Sequence, residues 1–189
     1  AEVGMLRDPA QRIIGKEPRK AEASWENLFR ATFWGMSGGP VFYSGMSAID
    51  IALWDIKGKV LGAPIYQLLG GKTNDNLRTY ASQLQFGWGD HMGAFTDPKD
   101  YAASARAAVE DGYDAIKVDP MQIDRAGSQD ILKSINPHYF GILMNDALQM
   151  GVERLRAMRE AVGPDVDIIL DITSILGSNA AVQLGRAGE

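Results

Sequence analysis

The chain has 189 residues, between the usual sizes of one domain and two, and enough to bury a sizeable core. Its 19 Lys and Arg against 24 Asp and Glu give a net charge of −5, so no basic surface for nucleic acid stands out beyond a short cluster at 16–20. Hydrophobic residues at 46% and charged residues at 23% argue for a folded globular protein, and the absence of cysteine excludes disulfides, thiolate catalysis and zinc–sulfur sites.

Asp8 followed by Pro9 reads as a cap and a first helical residue, with Gly15 ending a short helix. Trp25, Leu28, Phe29, Phe33 and Met36 are spaced as one helix face that stops at Gly38, Gly39 and Pro40. Ser47 then opens a clearer helix, with Asp50 three residues on as a variant of the capping box. Ile49, Leu53, Ile56 and Val60 form its apolar stripe, Asp55 and Lys59 an i,i+4 ion pair, and Gly62 with Pro64 its end. These aromatic and aliphatic residues read as helix core.

After Gly70, Gly71 and Lys72 the rhythm changes. Residues 77–83 alternate as a strand. The Gly-rich tract 85–90 reads either as a substrate-covering loop or as an ordinary turn with a packed Trp88. Asp97-Pro98 starts a helix that ends at Gly112, and 115–119 is a strand ending at Pro120. A long loop leads to a helix near Asp146, with Leu148, Val152, Leu155 and Val162 on its buried side and Gly163-Pro164 at its end. Residues 167–173 form a third strand, and a last helix begins near Ser178 or Asn179. This alternation is the signature of parallel βα units. The expected division is 1–72, helical, and 73–189, α/β. No apolar run is long enough for a membrane span and no signal peptide is visible, so a cytoplasmic location is expected.

Strands of a parallel sheet are covered on both faces and should be almost wholly apolar, yet two of these strands carry charge. The period of two puts Lys117 and Asp119 on one face of 115–119, and Asp171 with Thr173 on one face of 167–173, with Ile168, Leu170 and Ile172 toward the helices. Buried charges must be paired, metal-bound or at a wet rim. One reading is a Lys117–Asp171 ion pair tying adjacent strands together. The other has Asp171 binding a hard cation and Lys117 facing substrate, at the strand ends where barrel enzymes place catalytic groups. One carboxylate is too few ligands for Mg²⁺, so the metal site is incomplete on these residues. His91 and His138 lie in loops that open on the same face, as solvated groups or as catalytic ones. No phosphate-loop, dinucleotide, zinc-protease or nucleophile-elbow pattern occurs.

The stretch 47–59 (SAIDIALWDIKGK), continued by Gly62-Ala63-Pro64 and by Leu68-Leu69-Gly70-Gly71, resembles the family signature of the mandelate racemase and muconate lactonizing enzymes of the enolase superfamily. The resemblance implies the helical part of an α+β capping domain over 1–72. It also implies the first three units of a (β/α) TIM-like barrel over 73–189, with Mg²⁺ at its mouth. It implies abstraction of a proton α to a carboxylate, the charge being stabilised at the oxygens. By that resemblance Asp171 matches the first of three metal-binding carboxylates and Lys117 the first lysine of a Lys-x-Lys motif. Asp119 replaces the second lysine of the racemases, and Thr173 stands where the acid-sugar dehydratases carry a histidine. His138 is a weaker substitute for the missing base.

Lys117-Val118-Asp119 is closest in look to the dehydratase branch, so the leading expectation is an Mg²⁺-dependent acid-sugar dehydratase. The alternatives are a racemase, epimerase or cycloisomerase, and a non-catalytic barrel relative acting as a binding protein. The expected partner is a small carboxylate, a sugar acid, bound by a homo-oligomer with no nucleic-acid or membrane partner. A complete barrel takes about 250 residues. The 189 residues are therefore expected to be part of a longer polypeptide, with the other metal ligands beyond Glu189.

Overall fold

The computed structural model describes residues 10–31, 35–129 and 141–189. The chain separates into two units, Ala1–Asn76 and Leu77–Glu189.

The first unit is helical. Helix α1 (Ala21–Ala31) has Glu22 in its first turn and Arg30 in its last, both matched to the helix dipole. A 3₁₀ turn (Gly35–Ser37) leads into α2 (Gly39–Leu61), and α3 (Ile65–Leu68) follows. Helix α2 opens at Gly39 and not at Ser47, so Ser47 and Asp50 lie inside the helix and form no capping box. The cause is Pro40, in the first turn, where a missing N–H costs nothing and a fixed φ suits a helix start. The Gly-Gly-Pro stretch expected as a stop is therefore a start. Phe42, Met46, Ile49 and Leu53 are the buried face of α2 and cluster with Ala21 and Leu28, whereas Ile56 and Val60 of the expected stripe are exposed. Asp55 and Lys59 do pair, at 2.6 Å, and Gly62 ends the helix in the left-handed region. On α1 only Leu28 of the expected face is buried. Trp25 lies at the surface stacked on Phe29, and Met36 belongs to the 3₁₀ turn. Phe33 and the Asp8-Pro9 cap fall outside the described residues.

The second unit is built on two parallel strands, β3 (Ala115–Val118) and β4 (Asp167–Leu170), paired from Ala115↔Asp167 to Val118↔Leu170. On the other side of β3, the strand expected over 77–83 shrinks to a single parallel bridge, Ala81↔Ile116. Two backbone hydrogen bonds hold it, Ala81 N to Ala115 O at 3.0 Å and Lys117 N to Ala81 O at 2.7 Å. Extension fails at Gln83, whose φ of 62° turns the chain into a 3₁₀ turn (Leu84–Phe86). The Gly-rich tract then forms a tight antiparallel hairpin, β1 (Gly87–Trp88) with β2 (His91–Met92). A Cβ at Gly87 would collide with the His91 carbonyl, so glycine is required there. Trp88 donates its indole N–H to Asp111 at 2.7 Å and meets Tyr113 edge-on, which is the packed-turn alternative.

Helix α4 (Pro98–Glu110) starts as expected, with the Asp97 carboxylate capping Lys99 N. Helix α5 (Asn145–Val162) packs against α4 and against α6 (Ser178–Gly188). Close packing at Gly151 leaves no room for a Cβ, which would come within 2.9 Å of the Met121 sulfur. The core joins Tyr101, Ala105, Ile116, Val118, Leu155 and Met158, and each fully buried aliphatic among them contributes about 1.5–3 kcal/mol. Strand β4 is less covered than expected: Ile169 and Leu170 are each 37% exposed, and among the described residues β4 pairs only with β3. No other described strand pairs with its outer edge, and an unpaired strand edge presents a row of backbone groups to another strand. No helix among the described residues is long and apolar enough to cross a membrane.

Candidate active site

The charged positions of the two strands meet at their C-terminal ends. Lys117 Nζ lies 3.0 Å from Asp171 Oδ2, with side chains 19% and 43% exposed. The ammonium also sits 5.0 Å from the centre of the Tyr80 ring. This contact holds the Asp171 carboxyl below the usual carboxylate range, helped by the Thr173 N–H at 3.2 Å, and it raises the Lys117 pKa. Lys117 is therefore a fixed cation. The ion-pair alternative describes these two residues, and both line a cavity at the strand ends.

That cavity has a volume of about 50 Å³, space for a few waters or a small polar group, and is lined by Gln83, Gln85, Lys117, Asp119, Gln122, Asp171 and Thr173 among others. Asp119 is 3% exposed, and burial pushes its pKa up. Three donors oppose that shift: Met121 N at 2.9 Å, Gln122 N, and Thr173 Oγ1, which donates to Oδ2 at 3.1 Å. The approach of the Asp171 charge adds to it. Two carboxylates at neighbouring strand ends are thus pushed in opposite directions.

Thr173 links them, its N–H on Asp171 and its hydroxyl on Asp119. It does so at φ 44°, an unfavourable conformation for a β-branched residue. Gln85, 2% exposed, accepts from Asp119 N at 3.2 Å and donates to the Gln122 carboxamide at 2.6 Å, bracing the turn after β3. Arg154 of α5 is fully buried and clamps the same turn: it donates to the carbonyls of Pro120 and Ile123, both at 2.7 Å, and to Thr96 O at 3.2 Å. Its guanidinium also lies 4.9 Å from the Tyr101 ring.

Of the residues expected in the site, Lys117, Asp119, Asp171 and Thr173 line one cavity. His91 stands apart on β2, stacked on Phe95 and 3.8 Å from Asp100, and does not line the cavity. His138 lies outside the described residues. The pattern reading missed Gln83, Gln85, Gln122 and Arg154. Only Arg154 carried a visible signal, a charge four residues from Met150 and from Met158 on the buried helix face.

The donor set permits one test of a metal. Asp171 offers a hard, exposed carboxylate of the kind Mg²⁺ takes, whereas the Asp119 oxygens already accept three hydrogen bonds. No group of three His, Cys, Asp or Glu among the described residues could enclose an ion. The fit is right in kind for one ligand and incomplete in number.

Comparison with known proteins gives a consistent set of relatives. Residues 2–70 match the model of the mandelate racemase / muconate lactonizing enzyme N-terminal domain, and residues 100–189 the enolase C-terminal domain-like model. The chain is 34% identical over 187 residues to a D-gluconate dehydratase of Thermoproteus tenax, covering 99% of this chain and 33% of that protein. It is 34% identical over 186 residues to a D-galactonate dehydratase of Ralstonia nicotianae, covering 97% and 41%. A crystal structure from Salmonella enterica serovar Typhimurium, provisionally named a dehydratase, shares 60% identity at a TM-score of 0.94, covering 99% and 47%. A member of the enolase superfamily from Salmonella Typhimurium shares 47% at 0.88, covering 98% and 47%. The chain thus spans a third to a half of the length of these relatives.

Proposed function

The chain belongs to the mandelate racemase/muconate lactonizing enzyme family, and from that premise we propose that it is the front part of an acid-sugar dehydratase. In this reading Leu77–Glu189 forms the opening βα units of a barrel, and the open edge of β4 supports a further strand beside it. The substrate is a 2,3-dihydroxy carboxylate, in keeping with relatives named for D-gluconate and D-galactonate. The observation that carries the proposal is the opposed pair of carboxylates beside a fixed cation. Two titratable groups pushed apart by their surroundings are suited to different tasks.

Lys117, kept protonated by Asp171, is not a base. It is a charge partner for the substrate carboxylate and for the negative charge that develops on it as the C2 proton departs. Asp119, buried and lining the same cavity, with its pKa pushed up by that burial, is placed to pass a proton to the hydroxyl leaving C3. The balance is one proton passed from C2 to a base that these residues do not supply, one C–O bond broken at C3, and the departing hydroxyl released as water with the proton passed from Asp119. The enol left behind takes a proton at C3 to become a 2-keto-3-deoxy acid. Thr173 orients Asp119, and Gln85 with Gln122 fixes the turn that carries it. Asp171 would supply one ligand to Mg²⁺, and the bound ion would stabilise charge on the substrate carboxylate.

The test is a panel of sugar acids offered to the complete gene product with Mg²⁺, assayed for 2-keto products. Turnover of an aldonate, lost in the Asp171→Asn variant, is the expected result. No keto product from any aldonate or aldarate contradicts the reading. Absence of Mg²⁺ binding by calorimetry, together with an unaltered Asp171→Asn variant, contradicts it from the side of the metal.

A further inference from the structure

Among the described residues only Gln83, Thr173 and Ser174 are non-glycine residues with a positive φ, at 62°, 44° and 60°. Gln83 and Thr173 line the same cavity, and Ser174 is the next residue in the chain. Such conformations persist where the surroundings impose them, and their concentration at one site calls for a reason. At Thr173 the reason is visible, since the conformation lets backbone and side chain address two different carboxylates. At Gln83 it is not. Its side chain is exposed and makes no hydrogen bond with any described residue, whereas Gln85, two positions on, has both ends of its carboxamide engaged.

Gln83 also stands at a boundary. It lines the cavity of Lys117 and Asp119 and also a wider groove with Ser82, Phe86, Trp88 and Met92. A ligand whose carboxylate end reacts beside Lys117 and whose remaining carbons run outward passes this carboxamide. A carboxamide donates and accepts from one group, as does a hydroxyl, so the two match in either sense.

We propose that Gln83 is a specificity-determining residue whose free carboxamide hydrogen-bonds a hydroxyl of the substrate beyond the reacting C2 and C3. The assignment rests on the dehydratase reading and adds to it which residue tells one sugar acid from another. A site that hydrogen-bonds a hydroxyl discriminates strongly against a ligand presenting that group wrongly, because its own polar group is then left unpaired.

The test compares kcat/KM for D-gluconate and D-galactonate, which differ only in the configuration at C4, in wild type and in Gln83→Asn and Gln83→Gly variants of the complete gene product. Asparagine and glycine both tolerate the left-handed region, so the fold is retained, and an unreduced melting temperature verifies this. The expected result is a shift of about tenfold or more in the ratio of the two kcat/KM values. An active wild type whose ratio is unchanged in both variants overturns the assignment to Gln83 and leaves the dehydratase reading intact. A wild type that turns over no sugar acid with Mg²⁺ present overturns both.

Discussion

Asp119 and Asp171 follow directly on the Val118↔Leu170 register of two parallel strands, so the backbone treats them alike. Their surroundings do not. Asp119 is buried at the start of the turn braced by Gln85 and Arg154, and its pKa rises. Asp171 faces outward onto the Lys117 ammonium, and its pKa falls. Strand geometry sets where a carboxylate stands, and the covering loop and the neighbouring charge set what it can do there.

The comparison is sharpened most by removing the titratable group of Asp119. In the Asp119→Asn variant the shape and the Thr173 contact are kept, and turnover is expected to fall by about 10²–10⁴-fold while substrate affinity changes little. An active variant would break the distinction between the two aspartates. Next is the clamp: Arg154→Met leaves carbonyls of Pro120, Ile123 and Thr96 without their donor and is expected to cost about 3 kcal/mol or more in denaturant unfolding. Lys117→Met removes the fixed cation, and a loss of about 10²-fold in kcat/KM is expected by the same assay.

Smaller in effect, though direct, is the pH dependence of stability. A carboxyl raised in the folded state favours folding while protonated. Relative to Asp119→Asn, wild type should therefore lose stability as pH rises from the unfolded carboxylate pKa through the folded one. A carboxyl lowered in the folded state contributes stability above the unfolded pKa. Relative to Asp171→Asn, wild type should then lose stability as pH falls through the folded pKa. Denaturant titrations across the acid range measure both differences, and slopes of the same sign would refute the contrast. The smallest effect is a slight rise in melting temperature for Gln83→Gly, which relieves the left-handed backbone.

The alternation of polar and apolar residues in 115–119 made Lys117 and Asp119 legible in the sequence, because a strand's period of two needs no tertiary information. Asp171 and Thr173, expected on one face of a strand over 167–173, lie beyond the end of β4 at Leu170, and Thr173 reaches the cavity from a left-handed turn that alternation does not announce. The polar frame around these residues was not legible. Gln85 reaches Asp119 and Gln122 across 34 and 37 residues, and its tract looked like a glycine-rich turn. The start of α2 was misplaced because Gly-Gly-Pro serves equally as a stop and as a first turn, and only packing of Phe42 and Met46 decides between them. The strand expected over 77–83 reduces to Ala81 because Gln83 turns away, a backbone choice that no residue type announces.

The central claim is the reaction itself, and solvent isotope incorporation tests it most directly. The complete gene product, incubated in D₂O with Mg²⁺ and each of a panel of aldonates that includes D-gluconate and D-galactonate, should yield from at least one of them a 2-keto-3-deoxy acid carrying one deuterium at C3, seen by NMR. Recovery of the sugar acids with deuterium at C2 and no keto product would contradict the account, and inversion at C2 in the recovered acid would identify an isomerase.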